Sequence, residues 1–372
     1  MNKCDSKRKV LFLIESLHGG KAAKALATLV QYIDKTKFDV TVCAINGGGK
    51  YESTISENVN YKVILKDGMR GTKYSLVYKR LPMSMVYKMF VPQGNDIEIA
   101  YTEGFATKLL SCSSNTKAKK YVWVHSDLHS NHWTQEVFSN IKDETKAYNQ
   151  YDKIIGIAGL VCDAFRKEFP DVTKPVEKIY APIDSLSVRL KSLNASNEDE
   201  NGVKVRLVAH GRLEAHNEYA RLLRIVNRFV KEGYDIGLWI FGDGSQRGIL
   251  DHYVKENALQ DKVKLFGPHP NPYRYLVQGN LFVCSSYSSA VIKALILGLP
   301  VVATETPELT ELLRNGESAL ITANTEEALY AGIKKLLDDP KLLAEYKQKG
   351  EARGWDFDIE ALMVPVENLL QE

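Results

Sequence analysis

The sequence predicts an α/β protein built from two doubly wound domains in series. Short apolar runs alternate with helical segments along the whole chain, a polar stretch over 184–203 interrupts this alternation, and the same alternation then restarts. The length of 372 residues also suits two domains better than one. We therefore expect two mostly parallel sheets that face each other across a ligand-binding cleft.

The first half contains apolar runs of strand length with amphipathic segments between them. In the segment 24–34, Leu26, Leu29 and Ile33 recur at helical spacing, and a second helix is expected over 159–168. The predicted strands are 9–14, 39–45, 61–65, 97–101, 120–124 and 153–158.

The second half repeats the pattern and ends in an amphipathic segment, 357–372, which Pro365 is expected to kink. The predicted strands are 205–211, 235–242, 262–267, 281–285 and 299–304. The predicted helices are 218–232, 246–258, 289–297, 307–314, 325–337 and 340–350. The expected organisation is a first domain over 1–183, a surface linker over 184–203, a second domain over 204–352, and a C-terminal helix over 353–372 that returns to the first domain.

The charge of the chain is divided unevenly between its halves. The net charge is +3, yet residues 1–180 carry 27 Lys and Arg against 19 Asp and Glu, which makes the first half basic and the second half acidic. A basic half could meet an anionic membrane surface or an anionic acceptor, although solvated lysines explain the same excess. No nucleic-acid partner is expected.

Composition and the N-terminus favour a cytoplasmic protein. No apolar run reaches the roughly 18 to 20 residues that a membrane span needs. The first apolar run, 10–14, is followed by Glu15, which favours a first strand over a signal peptide. The five cysteines are scattered without paired spacing, as expected for reduced core thiols. Contact with the inner membrane face through the basic half is an additional expectation.

A serine-rich turn over 285–289 lies between a predicted strand and a predicted helix. Free backbone N–H groups and the positive end of the helix dipole suit a phosphate at such a turn, which is where a doubly wound sheet holds a nucleotide. The turn contains no acidic residue, and Lys293 lies one turn into the helix.

The order and spacing of these segments resemble glycosyltransferase family four, which has the GT-B architecture of two Rossmann-like doubly wound domains. The string ALILGLPVVAT within 285–305 is the most specific piece. The other segments that carry the resemblance are SLHGG (16–20), VWVHSD (122–127), GRLEA (211–215), FGDGSQR (241–247) and FGPHPNPYRYL (266–276).

The resemblance implies retaining transfer of a hexose in the building of bacterial surface glycans. The donor would be a nucleotide sugar such as a UDP- or GDP-sugar, used without a metal or other cofactor, and the acceptor would be a glycan or a lipid-linked glycan. By the same resemblance, His125 would face the donor sugar and Arg212 would hold the diphosphate, and these two are the candidate catalytic residues. The candidate donor-binding residues are Gly19, Gly20, Arg212, Asn217, Gly242, Gly244, Pro268, Ser288, Ser289, Ala290 and Lys293.

Structural explanations compete with several of these assignments. Gly19, Gly20, Gly242 and Gly244 suit tight turns without any ligand, and His125 suits a polar loop. His129 and His132 have the spacing of metal ligands, but no carboxylate-rich or cysteine-rich pattern accompanies them, so no metal site is expected.

The chain departs from the family pattern where donor contacts are expected. A Lys-Gly pair of the family is matched by Asn217 and Glu218, and a carboxylate close to a diphosphate would repel it. Lys293 replaces the helical carboxylate that would hold the ribose, and an ammonium cannot accept hydrogen bonds. The second carboxylate and its Gly-Phe have no counterpart. Further departures are Ala158 in place of a hydroxyl residue, Ala181 in place of an asparagine, Ala220 in place of an acidic residue, and Pro307 with Glu308 in place of a small-residue turn.

Three hypotheses follow. The first is a GT-B protein derived from a nucleotide-sugar-dependent transferase, with an altered donor site that impairs ordinary transfer, as in a pseudoenzyme, a redesigned pocket or an engineered variant. The second is an active family-four transferase with an atypical donor site. The third is a two-lobed protein that binds small molecules.

Overall fold

The computed structural model describes residues 7–66, 81–193, 202–286 and 289–372. The chain divides into two compact units. The first unit comprises Met1–Ile183 together with Leu362–Glu372, and the second comprises Asp184–Ala361. Each unit is built around its own parallel sheet.

The first unit contains a seven-stranded sheet in the order β3-β2-β1-β4-β5-β6-β7. All its strand pairs are parallel. Strands β2 and β3 lie on one side of β1, and the strands from β4 onward lie on its other side, so the topological switch of the sheet is between β1 and β4. The strands are Arg8–Ser16 (β1), Phe38–Asn46 (β2), Asn60–Leu65 (β3), Ile97–Ala100 (β4), Lys119–Val124 (β5), Lys153–Gly156 (β6) and Val176–Lys178 (β7).

Helices cover both faces of this sheet, as fully buried parallel strands require. Residues such as Leu11, Val122 and Ile154 are completely buried beneath them. The α-helices of this unit before the second sheet are Gly20–Tyr32 (α1), Glu52–Asn58 (α2), Met83–Phe90 (α3), Phe105–Leu110 (α4), Ile141–Tyr148 (α5) and Gly159–Glu168 (α6).

The second unit contains a six-stranded parallel sheet in the order β10-β9-β8-β11-β12-β13. Its topological switch lies between β8 and β11. The strands are Val205–His210 (β8), Ile236–Phe241 (β9), Val263–Gly267 (β10), Leu281–Cys284 (β11), Val301–Thr304 (β12) and Leu320–Thr322 (β13).

The remaining helices belong to the second unit, except that the last one ends in the first unit. They are Ser185–Ser192 (α7), Tyr219–Lys231 (α8), Arg247–Glu256 (α9), Tyr273–Leu276 (α10), Ala290–Ile296 (α11), Pro307–Leu312 (α12), Glu326–Asp338 (α13), Pro340–Trp355 (α14) and Ile359–Gln371 (α15). The predicted α/β fold with two Rossmann-like sheets is confirmed.

The range predicted as a surface linker, 184–203, begins instead with α7. The Asp184 carboxylate accepts a hydrogen bond from the backbone N–H of Ser187 over 2.8 Å and caps the helix. Ser185 is fully buried, and its Oγ accepts from the backbone N–H of Ile359 over 2.9 Å. The polar composition of this range therefore did not indicate the capped helix with which it begins. Residues 194–201 lie outside the described part.

Hydrogen bonds attach the C-terminal segment to the first unit. Arg8 donates to the carbonyl oxygen of Leu370 over 2.9 Å, and the backbone N–H of Asp34 donates to Glu367 over 3.0 Å. Helix α15 continues through Pro365. Among the described helices, none has both the length and the apolar character needed to cross a membrane.

Candidate functional site

The first sheet presents His125 at its carboxyl edge, directly after β5. The ring Nε2 lies 2.8 Å from the carbonyl oxygen of Tyr101, and the backbone N–H of His125 donates to Glu103 Oε2 over 2.9 Å. Because a carbonyl oxygen only accepts, Nε2 carries the proton and a neutral ring keeps its lone pair on Nδ1. Nδ1 is buried and has no hydrogen-bond partner in the described residues.

The surroundings of His125 favour this neutral ring. Burial lowers the pKa of His125, and the negative charge of Glu103 opposes that shift. A buried neutral imidazole with a lone pair at Nδ1 can accept a hydrogen bond from a hydroxyl group. Since Nδ1 is closed to solvent in this structure, the role of His125 opposite a sugar hydroxyl stays a prediction.

The carboxylates of Glu15 and Glu103, which the sequence analysis did not single out, lie at the same carboxyl edge of the first sheet. Glu15, at the end of β1, accepts from the backbone N–H of Phe105 over 2.6 Å and caps the start of α4. Burial raises the pKa of Glu15, and the nearby Glu103 raises it further. An acidic residue near the end of an otherwise apolar strand was the available sequence signal for Glu15.

The turn after β1 places Gly19 and Gly20 at the exposed start of α1. Gly20 has a φ of 87°, whereas Gly19 is extended with a φ of 173°. Among the described residues, no atom would lie within 4 Å of a Cβ on either glycine. Packing against the described residues therefore does not require glycine at these two positions.

At the carboxyl edge of the second sheet, the loops after β8 and β9 pack against each other through backbone hydrogen bonds, and we call them the paired loops. The backbone N–H of Gly211 donates to the carbonyl oxygen of Phe241 over 3.0 Å. The backbone N–H of Leu213 donates to the carbonyl oxygen of Asp243 over 3.0 Å. A Cβ on Gly244 would lie 2.5 Å from the carbonyl oxygen of Leu213, and one on Gly242 would overlap Gly211. Close backbone packing therefore accounts for both glycines.

Arg212 projects from this paired loop with an exposed side chain. Its guanidinium forms no salt bridge within the described ranges. Its carbonyl oxygen accepts from the side-chain amide of Asn217 over 2.8 Å and from the backbone N–H of Glu214 over 2.9 Å. The loop thus holds Arg212 at the sheet edge, where a planar cation can pair with a diphosphate.

Glu218 has a left-handed backbone conformation, with φ 56° and ψ 30°. Only glycine adopts this region readily, and an ordinary residue there costs about 1 to 2 kcal/mol. The carboxylate of Glu218 lies 3.5 Å from Arg221, one turn into α8. The resemblance places a glycine at this position, and the backbone has the conformation that suits one.

In the serine-rich turn, one serine hydroxyl is used in a contact within the protein and another is exposed. Ser285 is buried, and its Oγ donates to the carbonyl oxygen of Asn217 over 2.8 Å. Ser289 is exposed and makes no side-chain hydrogen bond at the start of α11. Ala290 is buried and Lys293 is half-buried. Ser288 lies outside the described residues.

The remaining candidate positions have ordinary local structures. Pro268 is exposed directly after β10, next to Gly267, whose carbonyl oxygen accepts from the backbone N–H of Gly242 over 3.0 Å. Thr306 caps α12 by accepting from the backbone N–H of Leu309 over 3.2 Å, with Pro307 in the first turn. The second sheet therefore gathers Arg212, Asn217, both glycines of the β9 loop and Ser285 at one edge.

His129 and His132 both face carboxylates. His129 Nδ1 lies 2.8 Å from Glu168, and His132 lies 2.8 Å from Glu144 and 3.0 Å from Glu168. Within the described ranges, no group of three or more His, Cys, Asp or Glu side chains is arranged to hold a metal ion.

Comparison with known proteins identifies relatives of the chain. Residues 204–339 match the family described as glycosyl transferases group 1. One curated relative, from Campylobacter jejuni, is 26% identical over 94% of this chain and 96% of its own length. It is named N-acetylgalactosamine-N,N'-diacetylbacillosaminyl-diphospho-undecaprenol 4-alpha-N-acetylgalactosaminyltransferase. The chain is thus homologous to bacterial glycosyltransferases.

Solved structures share the fold across almost the whole chain. Anabaena HepE, solved in complex with UDP, has a TM-score of 0.74 at 17% identity and covers 98% of this chain and 99% of its own. A glycosyltransferase from Rickettsia africae has a TM-score of 0.74 at 14% identity, covering 98% of each chain. These similarities, together with the two Rossmann-like units, show the GT-B fold.

Proposed function

We propose that this chain is a GT-B glycosyltransferase-like protein, derived from a retaining hexosyltransferase that uses nucleotide sugars, whose donor site is altered so that ordinary transfer is impaired. The observation that carries the proposal is the left-handed backbone at Glu218, with φ 56°. A carboxylate occupies a conformation suited to the family's glycine, beside the loop that holds Arg212.

Ala158 supports the same interpretation in the first unit. It is the N-cap residue of α6, with extended φ and ψ of −155° and 160°, and makes no side-chain cap. A serine or threonine in this conformation would accept a hydrogen bond from the first turn of the helix. The family's hydroxyl residue would fit here, so the backbone suits a side chain that the sequence has replaced.

The replaced groups would weaken donor binding in two ways. Lys293 cannot accept hydrogen bonds from ribose hydroxyls because an ammonium only donates. Glu218 adds negative charge near the position where Arg212 would meet a diphosphate. Losing preorganised polar groups of this kind costs about 2 to 4 kcal/mol each in transition-state stabilisation.

An active transferase with an atypical donor site is the alternative. The exposed Arg212 favours it, because its guanidinium remains available to a ligand. In that case Lys293 would contact a phosphate instead of a ribose. We place the acceptor among glycans or lipid-linked glycans, as the name of the Campylobacter jejuni relative suggests, and the protein in the cytoplasm, at the inner membrane face.

Ligand-dependent thermal stability distinguishes these proposals. The purified chain is heated with UDP, GDP and their hexose conjugates at millimolar concentration, and released nucleotide is assayed in parallel. A ligand at 100 times its Kd stabilises by about 2.7 kcal/mol. We expect little or no shift for the native chain and a clear shift for the triple variant Asn217→Lys, Glu218→Gly, Lys293→Glu.

Two outcomes contradict the proposal. Strong stabilisation of the native chain together with sugar release would establish the active alternative. A triple variant that is folded but still indifferent to every nucleotide would show that the donor site has been placed at the wrong residues. The variant Arg224→Ala, on the surface of α8, serves as the matched control because it removes a cation that pairs with Glu326 away from the paired loop.

A further inference from the structure

Two hydrogen bonds attach His125 to the loop after β4. The ring Nε2–H donates to the carbonyl oxygen of Tyr101 over 2.8 Å, and the backbone N–H donates to Glu103 Oε2 over 2.9 Å. Both Tyr101 and Glu103 are buried. Because one bond holds the ring and the other holds the backbone, the conformation of this loop determines the position and the orientation of His125.

The loop after β4 is in turn held by Glu15, which lies near the end of β1. Oε1 of Glu15 accepts from the backbone N–H of Phe105 over 2.6 Å, and the backbone of Ala106 also hydrogen-bonds to this carboxylate. These two N–H groups belong to the first turn of α4, where a helix offers them no partner of its own. The Glu15 carboxylate therefore fixes the point at which the loop passes into the helix.

Gly104 shows how closely the carboxylate of Glu15 meets this loop. Gly104 has a φ of 93°, a conformation that favours glycine. A Cβ on Gly104 would lie 3.1 Å from Oε1 of Glu15 and 2.7 Å from Cη2 of Trp133. The loop therefore passes between a carboxylate and an aromatic ring with no room for a side chain, and removal of the carboxylate would open one side of this packing.

The position of Glu15 in the sheet gives these contacts their significance. Glu15 lies near the end of β1 and Glu103 follows β4, on the two sides of the topological switch, where doubly wound sheets bind their ligands. Oε1 of Glu15 is engaged by the backbone of α4. Contacts thus run from Glu15 through the turn at 103–105 to His125, and they connect β1, β4 and β5 at this edge.

We propose that Glu15 is a positioning residue: its carboxylate fixes the turn at 103–105 and, through the two hydrogen bonds from His125 to this loop, the placement of the His125 ring. The consequence for sugar binding rests on the proposed function. The placement of the ring does not, so it can be tested whether or not the chain transfers sugars.

The ring N–H of His125 reports this placement directly. In the full chain with ¹⁵N-labelled histidine, NMR detects the Nε2–H that donates to Tyr101, and its absence in the variant His125→Gln assigns the signal. In Glu15→Ala we expect this signal to shift and its exchange with water to accelerate about tenfold, because a loop that is no longer fixed weakens the buried hydrogen bond. Circular dichroism checks that each variant is folded.

Two further variants at Glu15 test the same contact more gently. In Glu15→Gln the amide oxygen can still accept from Phe105, so the His125 signal should stay close to that of the native chain. Glu15→Asp withdraws the carboxylate by one methylene group and should shift the signal in the direction of Glu15→Ala by a smaller amount. This variant keeps the test decisive if Glu15→Ala does not fold.

Asp96→Ala is the matched control. Asp96 directly precedes β4, and its carboxylate accepts from the backbone N–H of Lys9 in β1 over 2.8 Å. The variant therefore removes the same kind of contact between the same two strands, but at the opposite edge of the sheet. It should leave the position and the exchange of the His125 signal unchanged.

A native His125 signal in folded Glu15→Ala, or in Glu15→Asp if the alanine variant does not fold, would overturn the proposal. An equal change in Asp96→Ala would also overturn it, since the effect would then be one of general stability. So would a signal in Glu15→Gln as altered as that in Glu15→Ala, because an acceptor oxygen would then not be what holds the loop. None of these measurements uses a nucleotide sugar, so failure of the proposed function leaves them intact and the two failures remain distinguishable.

Discussion

Gly242 lies so close to Gly211 that no side chain fits between them. A Cβ on Gly242 would overlap the carbonyl oxygen of Gly211, and its φ of 141° is itself unfavourable for any other residue. This contact fastens the loop after β9 to the loop after β8, from which Arg212 projects. The position of the candidate phosphate-binding cation therefore depends on the close packing of Gly242 against Gly211.

The variant Gly242→Ala should destabilise the second unit by about 3 kcal/mol or more, because the added methyl group meets backbone that cannot move aside. Chemical denaturation followed by circular dichroism measures the loss. The control is Gly248→Ala, within α9, where a Cβ meets nothing within 4 Å. It should stabilise by about 0.5 to 1 kcal/mol because alanine favours a helix. Equal effects of the two substitutions would contradict the packing argument.

The variant Glu218→Gly should stabilise the protein by about 1 kcal/mol, since glycine adopts the left-handed conformation without the cost of a Cβ. The same change should tighten binding of UDP or GDP if the diphosphate lies near Arg212, because it removes a repelling carboxylate. Denaturation and calorimetric titration measure the two effects separately.

Ala258 supplies a matched control for this substitution. It also has a left-handed backbone, with a φ of 53°, and follows α9 at a distance along the chain from the paired loops. Ala258→Gly should give a similar gain in stability and no change in nucleotide binding. If both variants change binding alike, the effect does not come from charge beside Arg212.

The fold could be predicted from the sequence because buried parallel strands are apolar on both faces. The runs over 9–14 and 205–211 therefore stand out, and both proved to be central strands, β1 and β8. The three-residue edge strands Val176–Lys178 and Leu320–Thr322 were missed because they are short and only partly buried. Helix α7 was missed because its capping residues resemble those of a loop.

The candidate site was less predictable, since its important contacts join residues distant in sequence. Ser285 belongs to the turn that the sequence predicts as a phosphate site, but its hydroxyl donates to the carbonyl oxygen of Asn217. Glu15 and Glu103 converge near His125 only because parallel strands end at one edge. No local pattern could reveal that Glu218 has the backbone of a glycine, since φ depends on how α8 joins the preceding turn.

The variant Arg212→Ala should weaken any measurable nucleotide diphosphate binding about tenfold to hundredfold, because charge-assisted hydrogen bonds contribute about 1.5 to 3 kcal/mol. The background for this measurement is Glu218→Gly, in which binding should be easier to detect. Arg212→Lys should recover only part of the loss, since an ammonium lacks the planar fork. An unchanged Kd for UDP in both variants would exclude Arg212 from the diphosphate site.

Acid should destabilise the first unit through His125. Burial lowers the pKa of His125 in the folded chain, whereas the unfolded value lies near about 6.5. Between these values the unfolded chain binds more protons, so this contribution to the unfolding free energy is complete above about pH 6.5 and is lost as the pH falls toward the folded pKa. The loss amounts to about 1.4 kcal/mol for each unit by which the pKa is lowered.

The variant His125→Gln isolates this contribution, because its side-chain amide can still donate to the carbonyl oxygen of Tyr101 but does not titrate. The difference in unfolding free energy between the native chain and this variant, measured by denaturation from pH 7.5 to pH 5, should decrease on acidification. The variant His252→Gln, in which an exposed histidine is replaced, is the control for the general effect of exchanging a histidine for glutamine. A flat difference for His125→Gln would contradict this prediction, because the buried ring would then bind a proton as readily as a free one.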